Sequence, residues 1–350
     1  MVPVLNQENK PLFPCKERRA FALLSRKDAI VYWQKGIFCI KLVRQETDKR
    51  EEYPQIALGI DPGSKREGYT VATEKSVILN ITTNTPDWVK KHVETRRNLR
   101  RSRRQRKTPY RACRSNRSVL SKSNRIPPST KARWDAKLRM IKFLLSIIPI
   151  TIINVEDIAA KTLPNKKRWN TSFSPLEVGK SWFYSEVEKL VKLIKTEGYT
   201  TKQHRDRQGY IKSKKKLDYT WSAHNVDSHS LTELALGKTI KPYYGIYKIE
   251  FLEYYKRQLQ VQNKLTNGIR KQYGSTVSLG MSRGSVVKYK GKLGYLGGSS
   301  KGKVAIHSII TGKRIKQYVK TGDIKVMHVT KRRVQFLPRL KPWVSLHIFS

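Results

Sequence analysis

The sequence predicts an α/β fold built on a mixed sheet with flanking helices, joined to a small N-terminal unit and a β-rich C-terminal region. Three strand-like segments follow one another closely from Gln55, and the apolar run ITIINVED later follows an amphipathic helix directly. A strand so uniformly apolar is expected to be buried on both faces of a sheet. From about residue 265, glycines separate short strand-like segments, a pattern typical of a small barrel.

The charge of the chain predicts a polyanionic partner. The 350 residues include 73 Lys and Arg against 26 Asp and Glu, a net charge of +47. This is too large for an ordinary solvated surface, and nucleic acid is the leading candidate partner. An anionic membrane is the alternative, but the basic stretches lack the apolar face of a membrane-surface helix, and no apolar run is long enough to span a bilayer. No membrane association is therefore expected.

The cysteines favour a reducing compartment and exclude two kinds of site. Cys15, Cys39 and Cys113 lie far apart, and no C-x-x-C pair occurs. This argues against a disulfide framework and against a cysteine zinc site. The N-terminal residues show no signal-peptide pattern. The protein is expected in the cytosol.

The N-terminal third is predicted to hold two ordered units. The first has a helix from Glu17 to Leu24 and strands from Ala29 to Trp33 and from Phe38 to Leu42. The second begins at Gln55, where QIALGI, YTVAT and SVILNITT are joined by tight connections, as in an antiparallel meander.

An arginine-rich segment follows, with eight Lys or Arg in the twelve residues from Arg96 to Lys107. Helix formers dominate it until Thr108-Pro109. A solvated charged face is a poor explanation, because so many like charges repel one another unless anions neutralise them. A disordered basic tail is the stronger alternative, although the segment is internal and lies between two ordered units.

The middle of the chain predicts further helices and a strand. Residues 182–197 carry Phe183, Val187 and Ile194 at helical spacing, with Gly198 as the expected stop. A short strand is predicted around GYTTKQ, followed by the basic loop GYIKSKKKL. The segment SAHNVDSHSLTELAL is predicted to be helical.

The stretch GIDPGSKREGYT, residues 59–70, allows three interpretations. Gly63 and Gly68 have the separation found in a phosphate-binding loop, but Tyr69-Thr70 stand where that loop needs Lys followed by Ser or Thr. Asp61-Pro62-Gly63 can also be a simple turn, since all three residue types favour turns. The third interpretation, in which Asp61 is a metal ligand at the end of a strand, needs acidic partners from elsewhere in the chain.

Such partners are expected from the order of the elements, which resembles the ribonuclease H fold. That resemblance implies that the first and fourth strands lie side by side, bringing Asp61 and Glu156 together, with Asp227 on the closing helix. Carboxylates suit Mg²⁺, and two such ions, with Mn²⁺ as a substitute, can promote phosphodiester hydrolysis. Asp157 is expected to point to the opposite side of its strand.

His224 is a candidate general base. It lies three residues before Asp227, so on a helix the two side chains share a face. The near-neutral pKa of histidine suits it to accept the proton of an attacking water. The alternative, a capping or surface histidine, is about equally compatible with the sequence.

Three segments, LGIDPGSKREGYTVA, INVEDIAAKT and SAHNVDSHSL, resemble the three split segments of the RuvC nuclease in the transposon-encoded IscB family. NKPLFPCKERRAFALLSRKDAIVYW is similar to the PLMP domain of that family, with Phe13 where Met is usual. The resemblance implies a PLMP domain at 1–53, RuvC segment I at 54–88, an arginine-rich bridge helix at 89–120, RuvC segment II at 121–165, RuvC segment III with a connecting helix at 166–250 and a target-adjacent-motif-interacting domain at 251–350.

One departure from that family is informative. Only 67 residues separate Glu156 from His224, with His204 as the single histidine among them and no cysteine, so an inserted HNH nuclease has neither room nor ligands. The chain therefore most resembles the HNH-lacking IsrB group. This implies a nickase, monomeric within a ribonucleoprotein of the prokaryotic cytoplasm with access to the nucleoid. Its partners would be a structured guide RNA, called omega RNA, and target double-stranded DNA, whose displaced strand RuvC cuts.

The resemblance also implies that basic side chains contact nucleic acid, with base pairing rather than the protein supplying sequence specificity. The expected contacts are Arg96, Arg97, Arg100, Arg101, Arg103, Arg104, Arg106, Lys107, Arg111, Arg114, Arg283, Lys288 and Lys290. Two alternatives stay open. A RuvC-type resolvase without RNA explains the acids but leaves the bridge helix and C-terminal region unused. A guided DNA-binding protein without cleavage is the other, and the four intact site residues speak against it.

Overall fold

A computed structural model describes residues 1–34, 36–43, 54–104, 126–157, 179–251, 277–308, 311–328 and 332–337. Within these ranges the chain forms sheets of four, seven and five strands, a two-stranded ribbon and six α-helices. None of the helices in the described ranges is both long and apolar enough to cross a membrane.

The N-terminal unit is a four-stranded sheet with the strand order β2-β1-β4-β3 and one helix. Its elements are β1 (Val2–Leu5), β2 (Pro11–Cys15), α1 (Glu17–Ser25), β3 (Ala29–Gln34) and β4 (Ile37–Leu42). Val2, Val4, Ala20, Ile40 and Leu42 form its small core. The predicted helix and the two strands after it are confirmed, whereas the assignment as a PLMP domain stays a prediction.

The central sheet has seven strands in the order β18-β10-β7-β6-β5-β8-β9. They are β5 (Ile56–Asp61), β6 (Arg66–Thr73), β7 (Val77–Asn84), β8 (Ile152–Asp157), β9 (Lys192–Glu197), β10 (Ile246–Phe251) and β18 (Arg332–Leu337). Strands β5, β6 and β7 are antiparallel, whereas β8 is parallel to β5 and to β9. The predicted meander, the mixed sheet and the pairing of the first and fourth strands are therefore confirmed.

Five helices belong to this region of the chain. They are α2 (Trp88–Arg104), α3 (Pro128–Leu145), α4 (Lys180–Glu188), α5 (Gly198–Arg207) and α6 (Val226–Leu236), and the π-helical turn Trp221–Asn225 leads into α6. Side chains of β5 at positions 56, 58 and 60 join the main core with α3 and α4. Because side chains alternate along a strand, positions 57, 59 and 61 face the opposite side, against which α6 packs.

The predictions for residues 182–207 are wrong in part. The helix α4 ends at Glu188, and Lys192–Glu197 form strand β9, which pairs in parallel with β8. GYTTKQ, predicted as a strand, begins helix α5, so Gly198 starts a helix rather than ending one. The apolar residues of 182–197 fit both periodicities, and the backbone hydrogen bonds offered by the free side of β8 decide in favour of a strand.

The C-terminal region contains an open five-stranded sheet with the order β16-β15-β14-β13-β17. Its strands, with the preceding ribbon, are β11 (Val277–Ser278), β12 (Met281–Ser282), β13 (Val286–Tyr289), β14 (Lys292–Ser300), β15 (Lys303–Ser308), β16 (Arg314–Val319) and β17 (Ile324–His328). In the described part of the chain β16 and β17 are the edges of an open sheet, so the predicted small barrel is not confirmed. Strand β18 leaves this region and pairs with β10 of the central sheet.

Candidate active site

Two acidic side chains lie side by side at the ends of parallel strands. Ile60 of β5 pairs with Val155 of β8, so the next residues, Asp61 and Glu156, are neighbours. Positions 153 and 155 of β8 belong to the main core, and Asn154 points to the other face, where its amide donates to the Leu231 carbonyl of α6 at 2.9 Å. Asp61 and Glu156 therefore share the face that α6 covers.

Helix α6 approaches the sheet closely because two glycines leave room for it. A Cβ atom at Gly59 would lie 1.9 Å from the Ser228 carbonyl oxygen, and one at Gly68 would lie 1.8 Å from the His224 carbonyl oxygen. No side chain fits in such a space. The glycines at 59 and 68 therefore allow the helix and the π-helical turn to pack against β5 and β6. This brings Asp227, in the first turn of α6, to Asp61 and Glu156.

Asn225 fixes the π-helical turn to the sheet. Its side-chain amide donates to the carbonyls of Tyr69 and Ile81, both at 3.0 Å, and its Oδ1 accepts from the Thr82 hydroxyl at 2.7 Å. The Val226 amide donates to the Trp221 carbonyl, the five-residue step that defines the π form. A fully buried amide with all these partners determines the position of its neighbour His224.

The clustering of acids raises the pKa of two of them. Burial, the charge of Glu156 and that of Asp227 hold the pKa of Asp61 well above its usual range, and Lys212 opposes them. Burial and the Asp227 charge likewise raise the pKa of Glu156. These mutual effects show that the three carboxylates share one electrostatic site.

Two cations bind Asp227, which is 2% exposed. The Arg205 guanidinium donates to Oδ1 at 2.8 Å, and the Lys212 ammonium contacts Oδ2. Burial lowers the pKa of Lys212, but the charges of Asp61, Asp227 and Glu156 outweigh it and raise that pKa. Lys212 therefore neighbours all three acids.

His224 is buried, lies three residues before Asp227, and is close enough to Lys212 and Arg66 for their charges to act on it. Burial, together with the charges of Arg66 and Lys212, lowers its pKa to about 4. Its Nε2 atom is buried without a hydrogen-bond partner. A neutral imidazole with a free ring nitrogen can accept a proton. The surface-histidine alternative does not fit this burial.

Asp157 takes part in a different set of contacts. It pairs with Lys180 at 2.7 Å and accepts from the Tyr184 hydroxyl at 3.0 Å, both on α4. Partial burial would raise its pKa, but the hydrogen bonds from Lys180 and Tyr184 outweigh this and lower it. Asp157 thus lies on the α4 side of the sheet, as the alternation along β8 predicts.

The carboxylate cluster has the right chemistry for Mg²⁺, but the protein's own cations neutralise it here. Among the described residues, no three Asp, Glu, His or Cys side chains are arranged to hold a metal ion together. Hard oxygen ligands of this kind are those that Mg²⁺ prefers. The residues that would hold it are Asp61, Glu156 and Asp227, and their metal binding stays a prediction.

The predicted nucleic-acid contacts are spread over the chain. Arg96, Arg97, Arg100 and Arg101 are exposed on α2, of which no described residue is buried. Arg103 and Arg104 belong to the same helix. Arg106, Lys107, Arg111 and Arg114 lie outside the described residues.

Arg283 lies at a basic cavity of about 330 Å³ on the C-terminal sheet. The other basic residues that line it are Lys303, His307 and Arg314. Lys288 is on β13, and Lys290 is in the turn that joins β13 to β14. Neither lysine lines the cavity, so the structure does not bring the three predicted contacts together.

Arg205, Lys212 and Asn225 were not expected from the sequence as parts of this site. Asn225 and Lys212 both lie within twelve residues of His224, in NVD and GYIKSKKKL. Arg205 gives no comparable signal, because it lies two residues after GYTTKQ, which is predicted as a strand. Its position at Asp227 follows from the helical form of α5.

Comparisons with known proteins give two findings. Residues 2–170 match the family described as RRXRR protein, and the letters RRSRR occur at residues 100–104, inside α2. Among solved structures, the chain is similar to T. thermophilus RuvC in complex with Holliday junction substrate, with 12% identity, 54% of this chain and 83% of that chain covered, and a TM-score of 0.26. No curated protein matches the chain.

Proposed function

We propose that this protein is an RNA-guided DNA endonuclease of the IsrB type that acts as a nickase. It binds a structured guide RNA, recognises a short motif beside its target, opens an R-loop and cuts the displaced strand with a Mg²⁺-dependent RuvC-type site. The observation that carries the proposal is the convergence of Asp61, Glu156 and Asp227 beside a neutral His224. The match of residues 2–170 supports it, because the RRXRR family is associated with IscB- and IsrB-type nucleases.

The chemistry divides between the carboxylates and the histidine. Divalent ions on such carboxylates promote attack by water and stabilise the leaving oxygen of a phosphodiester. His224 Nε2 accepts the proton of the attacking water in this proposal. A pKa of about 4 keeps the imidazole neutral and able to accept at pH 7, but makes it a weaker base than the near-neutral histidine that the sequence suggests. Asn225 and Gly68 hold the π-helical turn so that the imidazole stays beside the acids.

The basic regions supply the nucleic-acid contacts in this proposal. Helix α2 has exposed arginines and no described buried residue, which suits a helix that lies between two nucleic-acid strands rather than in a protein core. The C-terminal cavity with Arg283, Lys303 and Arg314 suits contacts to a duplex beside the target. Phosphate contacts of this kind position the nucleic acid without reading its sequence.

Guidance by RNA is tested by asking whether an RNA copurifies with the protein. Purification from cells that carry the native flanking DNA should yield one discrete RNA, identified by sequencing. If no RNA copurifies, guidance is refuted and a resolvase acting on branched DNA becomes the better explanation.

The cleavage product tests the single active site. With the RNA, Mg²⁺ and a supercoiled plasmid that bears a matched target, open circles are the expected product. Linear DNA would contradict nicking by one site. Absence of any cleavage, with target binding retained, would support a guided binding protein instead.

A further inference from the structure

Both oxygens of the Asp227 carboxylate already contact a cation of the protein. Arg205 donates to Oδ1, and Lys212 contacts Oδ2. The side chain of Asp227 is only 2% exposed, so solvent supplies no other partner. Each carboxylate oxygen can accept a second partner, but a metal ion at Asp227 would lie beside two positive charges that repel it. Movement of one of these cations away from Asp227 would therefore favour metal binding.

The two cations differ in how easily they can leave. Arg205 lies on helix α5, is 14% exposed and also contacts Asp206 at 3.3 Å. The side chain of Lys212 is 37% exposed and lies on the loop of residues 208–220. A lysine ammonium is a compact charge on a flexible stem, so Lys212 can turn towards solvent without moving a helix.

The loop is anchored on both sides of Lys212. The Tyr210 hydroxyl donates to Glu233 Oε1 at 2.9 Å, and the Tyr210 ring contacts the Trp221 ring edge-on, with centroids 5.9 Å apart. At the other end, the Tyr219 ring lies between two cations, the Arg66 guanidinium at 3.7 Å and the Lys248 ammonium at 4.1 Å from its centroid.

Between these anchors the apolar side chains of the loop are exposed rather than packed against the protein. Ile211, next to Lys212, is 81% exposed, and Leu217 is 58% exposed. The backbone next to Lys212 is fixed, because the Ser213 amide donates to the Ser222 carbonyl of the π-helical turn at 2.8 Å. The side chain of Lys212 is instead held by its contact with Asp227, so a change in the charge of the acid cluster would act on this side chain directly.

We propose that Lys212 is a built-in counter-ion that occupies the carboxylate cluster in the metal-free protein and is displaced when a divalent cation binds. The proposal rests on the carboxylate site put forward above. It assigns Lys212 a regulatory role, since the ammonium keeps three like charges together before metal arrives and sets how much metal is needed. A lysine that serves only to contact the DNA phosphate would leave metal affinity unchanged.

The test is a titration of the purified full-length chain with Mn²⁺, followed by electron paramagnetic resonance of the free ion. Four proteins are compared: the unmodified chain, Lys212→Met, Lys215→Met and Asp61→Asn. Lys215→Met removes an exposed charge from the same loop, and Asp61→Asn identifies the binding that belongs to the carboxylate site. We expect Lys212→Met to lower the Kd of that site at least about tenfold, or about 1.4 kcal/mol, with Lys215→Met close to the unmodified chain.

Each other outcome counts against the proposal. An unchanged or higher Kd in Lys212→Met overturns the counter-ion role while leaving the metal site standing. An equal gain in Lys215→Met reduces the effect to general charge and also overturns it. If the unmodified chain shows no Mn²⁺ binding that Asp61→Asn removes, the metal site itself fails. Lys212→Gln replaces Lys212→Met if the latter does not fold, as judged by circular dichroism.

Discussion

The carboxylate site and helix α2 differ in what determines them. At the site, each functional side chain depends on residues far away in sequence, such as Gly68 below His224 and Asn154 below α6. On α2, the arginines are exposed to solvent, and the nucleic-acid binding expected of the helix depends on how many of them there are. Packing determines the geometry of the site, whereas arginine content determines the binding expected of α2.

This difference predicts different responses to mutation. Loss of one carboxylate at the site should abolish DNA cleavage and leave nucleic-acid binding intact. Loss of one arginine from α2 should weaken binding by a fraction and leave the chemistry of the bound complex unchanged, because phosphate contacts contribute roughly equally.

The largest effect is expected from Asp61→Ala. Removing a member of a catalytic set typically reduces the rate by about 10³-fold or more, and we expect at least that for nicking of a matched plasmid. Asp157→Ala is the control, because it removes an acid from the same sheet that contacts Lys180 and Tyr184 instead. Persistent nicking by Asp61→Ala would mean that the site is misassigned.

Gly68→Ala tests whether packing alone can disable the site. The added Cβ would lie 1.8 Å from the His224 carbonyl oxygen, so the π-helical turn must shift. We expect a loss of about 1–3 kcal/mol in the free energy of unfolding, measured with urea, together with reduced nicking. Gly322→Ala, where a Cβ meets nothing within 4 Å, should be nearly neutral.

A double substitution on α2, Arg100→Gln with Arg101→Gln, tests whether the exposed arginines of this helix bind nucleic acid. We expect about a tenfold weaker binding of target DNA and a salt dependence reduced by about two phosphate contacts, from titrations at several salt concentrations. Lys189→Gln with Lys238→Gln removes two lysines already paired with Glu186 and Glu74 and should change little. Equal effects of both pairs would show that only total charge matters.

The smallest effect is expected on the free energy of unfolding of the metal-free protein when Asp61 is replaced by Asn. Burial and like charges raise the folded-state pKa of Asp61, so its ionisation destabilises the fold as pH rises through that pKa and costs nothing below the unfolded value. Asp61→Asn should therefore raise the free energy of unfolding in EDTA at neutral pH by about 1–2 kcal/mol. The gain should vanish in acid.

Asp157→Asn should show the opposite sign. The pKa of Asp157 is lowered in the folded protein, so its charge stabilises the fold above the unfolded pKa, and that contribution is lost as pH falls through the folded value. Asp157→Asn is thus expected to destabilise the protein at neutral pH. If both variants shift stability in the same direction, the two faces of the central sheet are not electrostatically distinct at the ends of β5 and β8.

Sequence reasoning reached the residues whose chemistry is local and missed those whose role depends on folding. The meander and the buried strand β8 could be predicted because strand periodicity and spacing indicate them. The neighbouring positions of Asp61 and Glu156 followed from the resemblance to the ribonuclease H fold, and their role with Asp227 as a metal site stays a prediction. The identity of β9 could not, since its apolar pattern suits a helix and only the free side of β8 decides the matter. Arg205 was missed for the same reason, because its position requires α5 to be a helix.

The glycines of GIDPGSKREGYT show the same limit. From the sequence they indicate a turn, and Gly63 does lie in the tight connection between β5 and β6. Gly59 and Gly68 instead lie inside strands, where the missing side chain makes room for α6 and the π-helical turn. Their function depends on an element more than 150 residues away, which no local pattern encodes.

The π-helical turn gives the orientation of His224 an unusual dependence on chain length. A π turn holds one residue more than the α-helical turn it replaces, so deleting one residue between 221 and 225 would still allow a continuous helix into α6. Each residue of an α-helix turns the chain by about 100°, so the side chains before the deletion would rotate by that amount. The direction of the imidazole thus depends on the extra residue of the turn, since loss of Asn225, the residue between His224 and α6, would rotate His224 relative to Asp227.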